Sequence, residues 1–135
     1  MPTSERSAQA ISNAIAQLYK AQFGRGPTKV KTYFLGLDGI VCILEDTQTP
    51  GERRLVASGE GIARLRDIRT FFQHAAEDEL KAAIEETTGR RVRAFMSGFD
   101  PTADACSEVF LLEEQDDPAA PPAGPGAPAP GTAAG

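Results

Sequence analysis

At 135 residues the chain has room for one domain, and a composition 41% hydrophobic and 24% charged is that of a soluble globular protein. No run approaches the roughly 18 apolar residues of a spanning helix, and the start MPTSERSAQA lacks the basic and apolar regions of a signal peptide, so the expectation is a cytoplasmic protein. The net charge of −5 is uneven: Glu113, Glu114, Asp116 and Asp117 lie together, leaving 15 acids against 14 cations before them, which argues against a surface that coats nucleic acid.

The first helix is expected from Ser4 to Phe23, where Ile11, Ala14, Ile15, Leu18 and Gln22 share one broad face at helical spacing. Gly24 supplies a left-handed cap, and Gly26 and Pro27 turn the chain into a strand over Thr28–Leu35. Asp38-Gly39, a pair that favours a tight two-residue turn, leads into a returning strand over Ile40–Glu45. Thr49, Pro50 and Glu52 then spell a helix start, with Thr49 as N-cap, Pro50 at the first helical position and Glu52 closing a capping box. That second helix ends near Ser58-Gly59. A third runs over Ile62–Thr87 with Leu65, Ile68, Phe72, Ala76, Leu80 and Ala83 as its apolar stripe and Gly89 as its stop. Two more strands, Arg91–Ser97 and Ser107–Leu112, complete the order αββααββ.

Blocks of strands and helices in that order predict an α+β two-layer sandwich, a four-stranded mostly antiparallel sheet with helices on one face. The globular domain spans residues 1–117. Residues 118–135, PAAPPAGPGAPAPGTAAG, carry six of the ten prolines and no large apolar side chain, and are expected to remain a disordered tail.

Both faces of the strands read as apolar. A two-residue turn at Asp38-Gly39 would put Val30, Phe34 and Ile43 on one side and Tyr33, Leu35, Cys42 and Leu44 on the other. Val92, Ala94 and Met96 alternate with Arg91, Arg93 and Phe95. A sheet covered on one face only should be polar on the other. A homodimer or another protein partner over the second face accounts for this; so would a helix crossing to the far side, or a bulge at Gly36 that shifts the register.

Outward parity further groups Lys29, Lys31 and Tyr33 on one strand with Arg91, Arg93 and Phe95 on another. Alternating cations and aromatics can hold single-stranded nucleic acid or another anion, so these residues, with Arg25 between its two glycines, are the candidate partner- or anion-binding set. Gly24, Pro27, Thr49, Pro50, Glu52 and Gly89 have structural roles.

Chemistry is harder to find. His74 and Asp78 lie one turn apart on the polar side of the third helix, where such pairs are ordinarily solvated. GRGP has no lysine-serine ending and its glycines follow a helix, so it is not a phosphate loop. Cys42 and Cys106 are far apart with one histidine in the chain, which suits buried thiols and neither a zinc site nor a disulfide framework. No catalytic residue, metal or cofactor is therefore expected. Arg64, Arg66 and Arg69 oppose the dipole at the start of the third helix and call for acidic neighbours, in a partner or in Glu60 and Asp67.

The segments QLYKAQFGRGPTKVKTYF, TPGERRL, IRTFF, ETTGRRVRAF and EVFLLE together resemble the bacterial MpsC-like family, named for a Na+-translocating membrane-potential-generating system. The resemblance covers about residues 10–113, and Gly24, Arg25, Gly26, Pro27, Thr28, Thr49, Pro50, Glu52, Gly89 and Arg90 match its pattern, while Gln48 replaces an expected leucine. It implies a small cytosolic accessory protein, held through protein partners at a membrane system that moves cations or supports bicarbonate uptake. No active site follows from it.

Overall fold

The computed structural model describes residues 3–24 and 26–114. Arg25 and the tail from residue 118 lie outside the described residues. The elements are α1 (Thr3–Phe23), β1 (Lys29–Leu35), β2 (Gly39–Glu45), α2 (Pro50–Ser58), α3 (Ile62–Ala75), α4 (Glu77–Thr88), β3 (Val92–Asp100) and β4 (Ala105–Leu112). The expected αββααββ order is present, with one addition: the long third helix breaks at Ala76, whose φ of −90° and ψ of 0° leave the helical region, to give α3 and α4.

Local chemistry explains the boundaries. Thr49 Oγ1 accepts from the Glu52 amide and the Glu52 carboxylate accepts from the Thr49 amide, the reciprocal capping box that starts α2 with Pro50 as first residue. Gly89 ends α4 in the left-handed conformation, at φ 70°, where any side chain would crowd its own carbonyl.

The sheet is antiparallel throughout, in the order β1-β2-β4-β3. Its first hairpin differs from the expectation. Leu35 pairs with Gly39 across a three-residue loop, Gly36-Leu37-Asp38, in place of a two-residue turn at Asp38-Gly39. That turn needs positive φ at both central residues, and here only Gly36 has it, at 62°. Asp38 is otherwise engaged: its carbonyl accepts from the Leu112 amide at 2.8 Å and its carboxylate takes Arg90 Nη2 at 2.6 Å. Phe34 consequently faces Ile40, not Ile43, and the two faces exchange members. Val30, Thr32, Phe34, Ile40, Cys42 and Leu44 lie on the helix side, while Tyr33, Leu35, Val41 and Ile43 lie on the other. The register shift in the sheet falls between Val92 and Ala94, not at Gly36.

α1, α3 and α4 pack on one face of the sheet, and α2 packs against α3. α1 lies against β1 and α4, and α3 and α4 lie against β3. Ile11, Ile15 and Tyr19 of α1, Leu80 and Ile84 of α4, and Ile40, Leu44, Phe110 and Leu112 of the sheet form the core. Both cysteines are buried in it, and burial pushes the thiols of Cys42 and Cys106 up to about 11.

The buried side of α3 departs from the expected stripe. Leu65 is inside as expected, but Ile68 and Phe72 are turned outward, and Arg69 and Gln73 take the interior positions. Two polar residues go inside because specific partners await them there.

Candidate interaction surface and buried polar network

The sheet face away from the helices is uncovered by any described element. The register arranges it in four rows across β1, β2, β4 and β3: Leu35, Gly39, Leu111, Ala94; Tyr33, Val41, Val109, Met96; Lys31, Ile43, Ser107, Gly98; and Lys29, Glu45, Ala105, Asp100. Two rows are apolar, with Leu35 55%, Tyr33 49% and Met96 48% exposed. The opposite end is charged, with Lys29 at 3.5 Å from Glu45 on one edge and Asp100 on the other. Small residues in the third row, Gly98 and Ser107, leave a hollow of about 330 Å³ beside Asp100 and Ala105. An open, half-apolar face of this kind is a candidate interaction surface.

The candidate residues divide on this surface. Lys29, Lys31 and Tyr33 lie on the open face as expected. Phe95 does not: it points to the helix side and packs on Phe110 with ring centroids 5.3 Å apart. Arg93 sits at the register shift, its Nε donating to the Leu112 carbonyl at 3.3 Å, and Arg91 precedes β3. Because β1 and β3 are opposite edges of the sheet, the two sets of cations form no continuous platform. His74 is exposed and meets Glu77, 3.8 Å away, and not Asp78.

Beneath the helices lies a network of buried polar residues. Arg69 is fully buried, and its Nε and Nη2 each donate to one oxygen of Glu52 at 2.9 Å while Nη2 also reaches the Thr47 carbonyl. The guanidinium lies over the Phe23 ring, 4.3 Å from its centroid. Burial opposes ionisation of Glu52, but the Arg69 hydrogen bonds and charge and the Thr49 amide outweigh it and hold the carboxyl below its usual range. One carboxylate thus caps α2 and ties it to α3.

Glu108, on the buried side of β4, is the second centre. Tyr19 Oη donates to its Oε1 at 2.5 Å and Gln73 Nε2 donates to the same oxygen at 3.1 Å. Oε2 and the hydroxyl of Ser97, its neighbour across the β3–β4 pair, are buried without a partner of full hydrogen-bond geometry among the described residues. Burial pushes the Glu108 carboxyl up to about 7, against the smaller opposing effects of Tyr19, Ser97 and Gln73. The same burial, with the adjacent Glu108, drives the Tyr19 phenol far upward. A proton on Oε2 would serve both orphans, because a neutral acid can donate to Ser97 Oγ.

Sequence patterning carries signals for this network. Glu108 falls at the same parity as Cys106, Phe110 and Leu112, and Arg69 and Gln73 follow Leu65 at four-residue steps. Gln48, in place of an expected leucine, is buried and donates from Nε2 to the Pro101 carbonyl at 2.7 Å.

Fold and surface together define a small α+β protein with one helix-covered face and one open sheet face. No described helix is long and apolar enough to cross a membrane. Over residues 3–114 the chain matches the model of the family described as Na+-translocating membrane potential-generating system (MpsC), and it belongs to that family. Neither a curated protein nor a solved structure matches it.

Proposed function

We propose that this chain is a non-enzymatic, cytoplasmic accessory subunit of the ion-moving membrane system for which its family is named, and that it works as a homodimer joined through the open sheet face. The observation that carries the proposal is the self-complementarity of the four rows. A two-fold axis parallel to the strands lays β1 of one copy over β3 of the other and keeps each row opposite itself. Tyr33 then meets Met96 of the second copy, and Val41 meets Val109. Lys31 falls over the hollow at Gly98, within reach of Asp100, whose row also receives Lys29. Apolar area is matched with apolar area and cations with the acid. Attachment at the membrane runs through protein partners.

The nucleic-acid or anion-binding alternative loses its support where Phe95 turns inward and the cations separate to opposite edges. Sedimentation equilibrium of the wild type and of Met96→Asp, over a hundredfold concentration range, tests the proposal. The wild type is expected to dimerise, and the variant to be monomeric with an unchanged helical circular dichroism signal. A wild type that stays monomeric at the highest concentration removes the dimer.

A further inference from the structure

Polar side chains fasten α3 to the rest of the molecule. Its buried residues are Leu65, Arg69 and Gln73, while Ile68, Phe71 and Phe72 are turned outward. Leu65 lines the cleft shared with α2, and Arg69 is paired with Glu52 of α2, so these two join the helices to each other. Toward α1 and the sheet, the Arg69 guanidinium lies over the Phe23 and Phe99 rings, and Gln73 Nε2 donates to Tyr19 Oη at 3.0 Å and to Glu108 Oε1 at 3.1 Å. Just past Gln73 the helix breaks at Ala76, which gives α3 a pivot against α4. α1 and α4 are anchored differently, through Ile11, Ile15, Leu80 and Ile84 in the apolar core. An element with little buried apolar surface opens before its neighbours do.

The group beneath Gln73 is a carboxyl with no counter-charge. Glu108 is fully buried, and it is faced by Tyr19 from α1, Gln73 from α3, Ser97 from β3 and Cys42 from β2, with Cys106 two residues back on its own strand. None of these is a cation. Arg69, one turn before Gln73, is paired with Glu52; β1 brings Thr32 beside Cys42, and the buried residues of α4 are Leu80 and Ile84. Oε1 takes both donors, and Oε2 has no partner of full geometry among the described residues. Ionised in this place, Glu108 is an unpaired buried charge, relieved only by a proton or by water. Water enters at least cost where the cover is least apolar, and that cover is α3.

We propose that Glu108 and Gln73 form a proton-operated latch: with Glu108 neutral, α3 lies closed on the sheet, and when Glu108 loses its proton α3 detaches about Ala76 and admits water to the carboxylate. Once detached, α3 unwinds, because a helix of 14 residues is at the margin of stability on its own in water, where about 12–15 residues is the limit. Burial pushes the Glu108 carboxyl up to about 7, while the thiols of Cys42 and Cys106, at about 11, and the Tyr19 phenol stay neutral. The closed state keeps its proton to about 7 and the open state releases it near 4.5, so opening gains about tenfold per pH unit between these values and levels off above about 8. The latch lies on the helix side and does not depend on the sheet-face dimer.

The experiment is native-state hydrogen exchange of the full chain, followed by NMR from pH 5.5 to pH 8 and corrected for the intrinsic rate at each pH. Amides of residues 69–75 should exchange through an opening that is only weakly sensitive to denaturant and more frequent than the opening of α4 and β4. Their protection should fall about twentyfold between pH 5.5 and pH 7.5. Glu108→Gln should abolish that fall. Tyr19→Phe keeps the ring and removes a donor that favours the anion, so the levelling-off should move to higher pH. One common protection for α3, α4 and β4, a wild-type α3 whose protection is flat with pH, a fall that persists in Glu108→Gln, or an unmoved plateau in Tyr19→Phe overturns the proposal.

Discussion

Replacing Glu108 by glutamine should make the protein more stable in neutral and alkaline solution. In the folded protein the carboxyl titrates near 7, against 4.5 for the free side chain. Between these values the folded state holds a proton that the unfolded chain releases, so stability falls as pH rises from about 4.5 and the loss is complete above about 8. A raised acid therefore works in the opposite sense to a salt-bridged one. At 1.36 kcal/mol per unit the ceiling on the loss is about 3 kcal/mol, a large part of a small domain's total. Glutamine keeps an oxygen for Tyr19 and Gln73 and places an amide where the unpartnered Oε2 faces Ser97. Urea unfolding at fixed protein concentration from pH 5 to pH 9 measures the effect. The wild type should lose up to about 3 kcal/mol across the range, and Glu108→Gln should lose little of that amount. A wild-type stability that is flat over this window, or an equal slope in the variant, refutes the reasoning.

Arg69→Met removes the cation from a buried pair and should cost about 3 kcal/mol, at the low end for such losses because Glu52 stays partly exposed. Combined with Glu52→Gln the loss should be less than additive in urea titrations; additive effects would mean that the two side chains do not act as a unit. The depressed Glu52 carboxyl adds an acid limit, since its contribution is present above the unfolded pKa and is lost as pH falls through the folded one. Cys42 and Cys106, buried and pushed up to about 11, should resist a thiol-reactive disulfide reagent at pH 8 until denaturant is added. Labelling of the native protein within seconds would contradict their burial.

Elements with their own local punctuation were legible in the sequence. The Thr49-Pro50-Glu52 start of α2 and the Gly89 stop of α4 are written in consecutive residues and appear in place. Failures came where a distant partner decided the outcome. Asp38-Gly39 has the composition of a tight turn, but Arg90 and Leu112 hold Asp38, and the loop begins two residues earlier, at Gly36. Hydrophobicity alone put Ile68 and Phe72 inside; the carboxylate of Glu52, 17 residues back, draws Arg69 in instead and rotates the helix. The sheet's second apolar face was readable from alternation, whereas its membership depended on the loop length. Phe95 lost its place on that face because parity on β3 is set by pairing with β4, and no property of the β3 sequence states it.

The central claim is the self-complementary sheet face, and mixed cross-linking tests it most directly. Tyr33→Cys and Met96→Cys proteins are prepared separately, mixed, and treated with a bis-maleimide about 10 Å long, the usual separation of packed sheets. Rows that stay opposite themselves predict a covalent dimer in the mixture well above that in either variant alone, with Cys42 and Cys106 silent in their buried sites. Equal cross-linking in all three samples, or none, would contradict the proposed pairing of β1 over β3.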